Sequence, residues 1–434
     1  MNATFLPPDL TTFCRVDTLG LVVTGQHITS GAAVLECRVL EDDDWCHRCG
    51  CQGTPRGTVV RKLAHTPQGW RPVTLHIRVR RYRCASCGHV WRQDTAQAAG
   101  PREKISRGGL RWALEGIVCQ HLTVARVAEG LNVSWNTANT AVITEGLRTL
   151  IDDPGRFVGV TTIGVDEHVW RHTPFGDKYV TVIIDLTPVR NKTGPARLLD
   201  MVEGRSKLAF KNWLLAQSMA FRAGVEVVAM DGFTGFKTAA QEVLPDAIAV
   251  MDPFHVVKLA GDALDRVRQR VQHETLGRRG RKNDPLYRMR KVFLTGKELL
   301  TDKQRVKLDE VLTQPAHVEV RQAWRVYQQV LAAYRAKIPA FGRRRLRKLI
   351  DLIGEGVSQS QAEIRKLGHT LKRRREDILA YFDHPRTSNG PTEAINGRLE
   401  HLRGSALGFR NLAHYVARAL LESGGFRPQL HPQL

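Results

Sequence analysis

Nothing in this 434-residue chain stays apolar for long. No run approaches the ~18–20 residues that a helix needs to cross a bilayer, so a membrane span is not expected. The opening residues, Met1-Asn-Ala-Thr-Phe-Leu-Pro-Pro-Asp-Leu, set no basic group before their apolar ones and do not read as an export signal. A cytoplasmic protein is expected, in a compartment where its 8 cysteines stay reduced instead of pairing as disulfides. No fixed-period repeat or extended low-complexity segment is present, which argues against a solenoid. Acidic residues are scarce: 43 Asp and Glu face 65 Lys and Arg, giving a formal charge of +22 and a pI near 10.1. Such a balance calls for a polyanion as partner. Solubility alone is the blander reading. An anionic membrane surface is disfavoured because no long basic amphipathic helix stands out.

Two Cys-x-x-Cys pairs stand out among what is there. Cys46-His-Arg-Cys49 and Cys84-Ala-Ser-Cys87 flank a stretch in which Val73, Leu75, Ile77 and Val79 alternate with polar residues, the mark of a half-buried strand. Two knuckles joined by a hairpin supply the four soft ligands that structural zinc takes in a tetrahedron. Gly50 and Gly88 follow each pair and allow the tight turn a knuckle needs. Cys51, His47 and His89 are nearby substitutes, and a redox dithiol is the alternative chemistry. Cys14, Cys37 and Cys119 read as small buried hydrophobes.

The organisation reads as an N-terminal segment (1–42), a zinc-binding ribbon (43–99) and a hinge at Gly100-Pro-Arg-Glu-Lys. Three helices then fill 104–150. Leu110, Leu114, Ile117 and Val118 make one apolar face; Val124, Val127 and Ala128 point inward from a second helix; Gly130-Leu-Asn-Val turns; Ser134 caps a third. This is a helix-turn-helix pattern, with any three-helix packing unit as its bland counterpart. Trp135, Asn136, Asn139 and Thr140 would lie on the exposed start of the reading helix, where side chains reach base edges.

Residues 158–253 alternate strand and helix patterns. Val158–Asp166, Tyr179–Leu186 and Arg197–Val202 read as consecutive strands, followed by helix Ser206–Met219, strand Val225–Asp231, helix Thr234–Leu244 and strand Ala247–Asp252. The fold class is therefore α/β with a mixed sheet. Residues 254–385 are helical and strongly basic, with charge runs at Arg278–Lys282, Arg343–Lys348 and Lys372–Arg375 and a flexible loop expected at Arg278–Pro285. One run is usually a solvated helix face; three suggest a phosphate track, with Arg343, Arg344 and Arg345 as contacts. Residues 386–434 close the chain with further helices, patterned from about Pro391 to Leu421.

Three carboxylates have distinctive settings: Asp166 in Thr162-Ile-Gly-Val-Asp, Asp231 in Val227-Val-Ala-Met-Asp-Gly-Phe, and Glu393 in Ser388-Asn-Gly-Pro-Thr-Glu-Ala-Ile-Asn. A lone Asp at a strand end is ordinarily a turn or cap residue. Two at neighbouring strand ends, with a Glu entering a late helix, can instead hold two hard divalent ions able to cut and rejoin phosphodiesters. Adjacent strand residues face opposite sides, so Asp166 and Glu167 cannot both serve. Asp185 is a rival for one of the Asp roles, and Glu203 and Glu242 read as solvated.

These motifs, with Asp252-Pro-Phe-His-Val-Val-Lys and the zinc and helix-turn-helix patterns, resemble the ISL-three family of bacterial insertion-sequence transposases from about Cys46 to Leu421. The resemblance implies an RNase H-like core with a DDE triad, Asp166, Asp231 and Glu393, split by an all-helical insertion. It implies a metal-dependent polynucleotidyl transferase that uses two Mg or Mn ions and structural Zn. Its partners would be transposon-end and target DNA, handled by a homodimer or higher assembly in the bacterial cytoplasm at the nucleoid. The segment Gly232-Phe-Thr-Gly-Phe departs from the family's usual continuation without touching the carboxylate. The pair Asp252 and His255 matches a motif of related split-core enzymes, with His255 contacting a phosphate or bracing the site. Trp324 stands where such insertions carry a DNA-stacking aromatic, although helix core explains it as well. A catalytically silent DNA-binding regulator derived from a transposase is the rival, and metal-dependent nicking of end-containing DNA separates the two.

Purified protein should carry about one zinc per chain, measured by elemental analysis, and lose it when Cys46 and Cys87 become Ser. A metal-free wild-type chain whose DNA binding is unaffected by the Ser substitutions would count against the site.

Overall fold

A computed structural model describes residues 9–173, 176–356 and 361–431; the first eight residues of the N-terminal segment lie outside it. The chain divides into two compact units, one made of Met1–Pro154 with Leu402–Leu434 and the other of Gly155–His401. Among the described residues no helix is long and apolar enough to cross a membrane.

The first unit is built on a five-stranded sheet: β1 (Leu21–Ile28), β2 (Ala33–Val39), β3 (Gly53–Gln68), β4 (Arg71–Cys84) and β5 (Val90–Arg92), in the order β1-β2-β4-β3 with β5 paired to β4. The alternation expected of residues 73–79 is present, with Val73, Leu75, Ile77 and Val79 all buried. The N-terminal segment is not separate from the ribbon. β2 runs parallel to β4 with Leu35 opposite Leu75 and Cys37 opposite Ile77, so both contribute to one core. Nor is Gly100–Lys104 a hinge. Ala64 N–H donates to the Lys104 carbonyl at 2.8 Å and Ser106 N–H to the Ala64 carbonyl at 2.9 Å. The Arg61 guanidinium meets the Ala99 carbonyl at 3.2 Å. The segment is thereby stitched along β3.

Three helices follow, α1 (Arg107–Gln120), α2 (Val124–Leu131) and α3 (Trp135–Gly146). Ser106, Thr123 and Ser134 cap them by accepting backbone N–H groups, and Asn132 at φ +51° closes the α2–α3 turn. On α3 the buried stripe is Ala138, Asn139, Val142, Ile143 and Gly146. Asn139 therefore lies on the inner face, 5% exposed, and cannot reach a base. Trp135, Asn136 and Thr140 are exposed as expected.

The second unit holds the mixed sheet. Its strands are β6 (Thr162–Val169), β7 (Tyr179–Asp185), β8 (Arg197–Glu203), β9 (Val227–Met230) and β10 (Ile248–Met251), ordered β10-β9-β6-β7-β8. β6, β7 and β8 are antiparallel neighbours, while β9 and β10 run parallel to β6. β6 begins later than expected and continues past Asp166, because pairing with β7 persists to Val169 opposite Tyr179. One face packs on α4 (Lys207–Ala216), α5 (Met219–Gly224) and α6 (Thr234–Val243). The single helix expected over Ser206–Met219 is two, since the Ser218 hydroxyl accepts the Phe221 N–H and starts α5 afresh.

The basic insertion has its own apolar core. Its main helices are α7 (Pro253–Leu276), α8 (Asp302–Leu312), α9 (Val318–Tyr334), α10 (Pro339–Glu355), α11 (Ala362–Arg373) and α12 (Arg375–Asp383). The loop expected to be free at Arg278–Pro285 is closed by the Arg278 guanidinium on both oxygens of Asp284, at 2.7 and 3.0 Å. The chain then forms α13 (Gly390–Ser405) and α14 (Leu412–Ser423), with α14 in the first unit.

Gly368 on α11 lies close against the backbone of α10: a Cβ built there would stand 2.1 Å from the Ile353 carbonyl oxygen. Gly368→Ala should therefore destabilise by about 1–3 kcal/mol, seen as a lowered melting temperature. An unshifted melt would show that the two helices separate at no cost.

Candidate active site and metal centre

In the first unit four thiols converge. Cys46 Sγ lies 3.5 Å from Cys87 Sγ, Cys49 Sγ 3.4 Å from Cys84 Sγ, and Cys49 Sγ 3.5 Å from Cys87 Sγ. A zinc with ~2.3 Å bonds to sulfur would space tetrahedral thiolates by about 3.8 Å, so the donor set fits. Gly50 and Gly88 both adopt φ +71°, and their N–H groups donate back to the Cys46 and Cys84 carbonyls. The Cys84 thiol is pulled down to about 6, chiefly by the backbone N–H of Cys87, and Cys46 is lowered too, while their hydrogen-bonded neighbours Cys49 and Cys87 are raised. Thiolate is the form a metal takes. The substitutes drop out. Cys51 is exposed and outside the quartet, His47 is engaged by Asp43 at 2.7 Å, and His89 stacks on Trp91. Trp91, Tyr82, Cys46 and Cys84 form a small core behind the thiols.

In the second unit strand register builds a carboxylate site. Val165 pairs with Met230 across β6 and β9, so Asp166 and Asp231 are the next residues on two parallel neighbours. Val165 and Met230 face the apolar core, which turns both Asp to the opposite face. On that face Gly164 leaves a gap. A Cβ there would stand 2.9 Å from Thr392 Oγ1 on α13 and 2.9 Å from Ile184 Cγ1. The helix carrying Glu393 can thus lie against β6, and Asn396 Nδ2, three residues further along it, donates to Asp166 Oδ2 at 3.1 Å.

Electrostatics reflect this crowding. Burial pushes the Asp166 carboxyl up to about 7; the charges of Asp231, Glu167 and Glu393 add to the rise, against the Glu167 N–H donated to Oδ1 at 2.8 Å. Asn396 Oδ1 is buried and, among the described residues, has no hydrogen-bond partner. Crowded acids beside an orphaned amide oxygen are a donor set of the kind a hard cation takes. The triad is looser than the thiols: among the described residues, only the four cysteines hold their ligand atoms within 4.8 Å of one another.

The remaining parts brace this site. Asp252 is buried, caps α7 by accepting the His255 N–H, and accepts the Asn389 N–H at 2.8 Å, tying β10 to the loop before Glu393. Burial raises its carboxyl. His255 packs on the Asp231 turn, its Nε2 lying 2.3 Å from where a Cβ on Gly232 would be. A side chain at 232 would displace the ring. The buried Arg374 donates to the Gly232 carbonyl at 3.0 Å and to Asp377 at 2.6 Å. Asp185, the rival, sits opposite Ile163 near the start of β6 and is tied up by Arg197 at 3.0 Å. Glu167 faces away and pairs with Arg205; Glu242 pairs with Lys207 and Lys211.

The expected phosphate track is only partly free. Arg343 pairs with Asp383, and Arg374 in the last run is buried. Arg344 and Arg345 are exposed and line an open groove of about 660 Å³ with Phe341 and Lys348. Trp324 is half-buried and packs on the insertion core. Sequence reasoning missed Asn396 and Arg374. Asn396 lies one turn after Glu393, a spacing that puts both on one helix face; Arg374 was hidden inside a run of like charges.

A family profile described as a transposase, of the DDE type and the ISL3 group, matches residues 163–419. The transposase for insertion sequence element IS1557 of Mycobacterium tuberculosis is 26% identical over 434 residues, 90% of this chain and 89% of that protein. The transposase for insertion sequence element IS1001 of Bordetella parapertussis is 24% identical over 387 residues, 86% of this chain and 87% of that one. A chain from a Drosophila P element transposase strand transfer complex aligns over 74% of this chain and 92% of its own, with 12% identity and a TM-score of 0.38.

The raised Asp166 carboxyl carries a pH signature. Its folded value near 7 exceeds its unfolded value near 3.8. The stability it contributes is present below that unfolded value and lost as pH rises through 7. Without divalent ions, Asp166→Asn should therefore melt higher than wild type at pH 8 and about equally at pH 4. A lower melt at pH 8 would mean that Asp166 carries a favourable charge there.

Proposed function

The chain belongs to the ISL3 family of transposases, and on that premise we propose that Asp166, Asp231 and Glu393 form the centre that cuts and joins DNA. It is a DNA transposase. The single observation that supports this assignment of residues is the register that makes Asp166 and Asp231 neighbours, with Glu393 adding its charge to theirs. We read the second unit as an RNase H-like core interrupted by the helical insertion. Its strand order, three antiparallel strands followed by two parallel ones, supports that reading.

The three carboxylates would hold two Mg or Mn ions. When bound, such ions activate a water or 3′-hydroxyl and stabilise the leaving oxygen of the phosphodiester. The chain's own residues supply position. Asn396 fixes the Asp166 carboxylate, Arg374 holds the turn after Asp231, and Asp252 fixes the loop that brings in Glu393. His255 keeps that turn narrow. Water and DNA hydroxyls serve as nucleophiles, so no covalent protein–DNA intermediate is needed. The first unit would bind terminal inverted repeats, with zinc in the four thiols and Trp135, Asn136 and Thr140 reading from α3 as the second helix of a helix-turn-helix. Two ends must be processed together, so assembly into a dimer or larger complex on DNA is expected.

Asp166→Asn, Asp231→Asn and Glu393→Gln should each fold and bind end DNA while losing cleavage and strand transfer by about a thousandfold or more. The losses should not add in the double variants. Glu167→Gln should keep most activity, and Ca should support little where Mg or Mn supports it. Near-normal nicking by Asp231→Asn would overturn the assignment.

A further inference from the structure

Between Asp44 and Asp94 the chain carries ten Lys or Arg and not one Asp or Glu. This stretch spans the four thiols and strands β3, β4 and β5. Strand alternation sorts its side chains at the thiol end. Tyr82 and Cys84 of β4, with Trp91 opposite Tyr82 on β5, are buried on one face and form the core behind the thiols. Arg81 and Arg83 of β4 fall on the other face, the face that further down the strand buries Val73 to Val79. There the apolar core has ended, and Arg83, Arg92 and Val90 are exposed.

Arg81 and Arg92 are direct cross-strand partners. Like charges in that position cost stability unless an anion is present. The neighbouring Arg78 and Arg80 have acidic partners, Glu36 at 3.9 Å and Asp42 at 2.7 Å. Among the described residues Arg81, Arg83 and Arg92 make no ion pair. Three unneutralised guanidinium groups stand on two adjacent strands, on the back of the small core of Cys46, Tyr82, Cys84 and Trp91.

We propose that this face grips the phosphate backbone of duplex DNA through Arg81, Arg83 and Arg92, and that the thiol centre on the opposite face serves to hold those strands in place for it. The grip is independent of base sequence, since the amide beside the arginines, Gln93, is buried and engaged by the Arg80 N–H and the Glu41 carbonyl, and so complements the exposed face of α3. The proposal rests on the chain acting on DNA but not on which residues cut it.

The test measures full-chain binding to two duplexes, one with the element's end and one with that sequence scrambled, across salt concentrations. In the triple variant Arg81→Gln, Arg83→Gln, Arg92→Gln both affinities should fall by a common factor of about tenfold or more. The slope of log affinity against log salt should shrink by roughly 0.9 for each phosphate no longer neutralised. Zinc content and melting temperature should hold, and the triple Lys variant should recover most binding. Unchanged affinity for both duplexes, or a weakening with the slope intact, would overturn the proposal. So would a weakening confined to the end sequence, which would make these residues base readers. A wild-type chain that binds neither duplex would instead defeat the transposase reading itself.

Discussion

A helix can lie against β6 only because residue 164 has no side chain. Any Cβ there would collide with Thr392 and Ile184 at 2.9 Å. With the gap filled, α13 would have to lift, and Glu393 and Asn396 would leave Asp166. The site's other two members need no such accommodation, since the pairing of β6 with β9 already makes Asp166 and Asp231 neighbours. The third member arrives from far along the chain, after the whole helical insertion. Its position depends on one missing methyl group and on Asp252, which caps α7 and holds the Asn389 N–H.

Charge is used locally against its global sign. The chain is +22 overall, yet at its candidate centre burial, with the charges of neighbouring acids adding to it, pushes one carboxyl up to about 7. Burial and mutual repulsion make that cluster costly by itself. Near the cluster, the ion pairs of Arg374 and Lys237 with Asp377 and of Arg205 with Glu167 direct nearby cations to acids other than the triad. Among the described residues no ion pair is made by Asp166, Asp231 or Glu393. A cluster of acids without counter-charges attracts cations.

The two units treat metal-type donors differently. The thiols stand at near-bonding spacing, each knuckle turned by a glycine in the left-handed region and backed by Trp91 and Tyr82. The carboxylates are set further apart and partly open. A closed soft-ligand set supports structure, whereas a hard-ligand set with room to spare leaves coordination for substrate.

Periodicity and spacing were enough to locate the knuckles, the three short helices and the five strands of the mixed sheet, because each is a local pattern with a local physical cause; the choice of three carboxylates came with the family resemblance. Alternation alone set Glu167 aside and left Asp185 as a rival, and the structure gives each an Arg partner. What the sequence left open depended on interactions between distant segments. Asn139 looked like an exposed helix start, but the packing of α3 turned that position inward. The supposed hinge became an edge of the first sheet once Arg61 and Ala64 bonded to it. Arg374 looked like part of a solvated run, yet it is buried against the Asp231 turn. A run of basic residues says nothing about which one faces inward, and strand pairing cannot be read from either strand alone. The sequence by itself determined which residues could do the chemistry. Only the tertiary structure decided which of them meet, because that depends on register and on the close approach at Gly164.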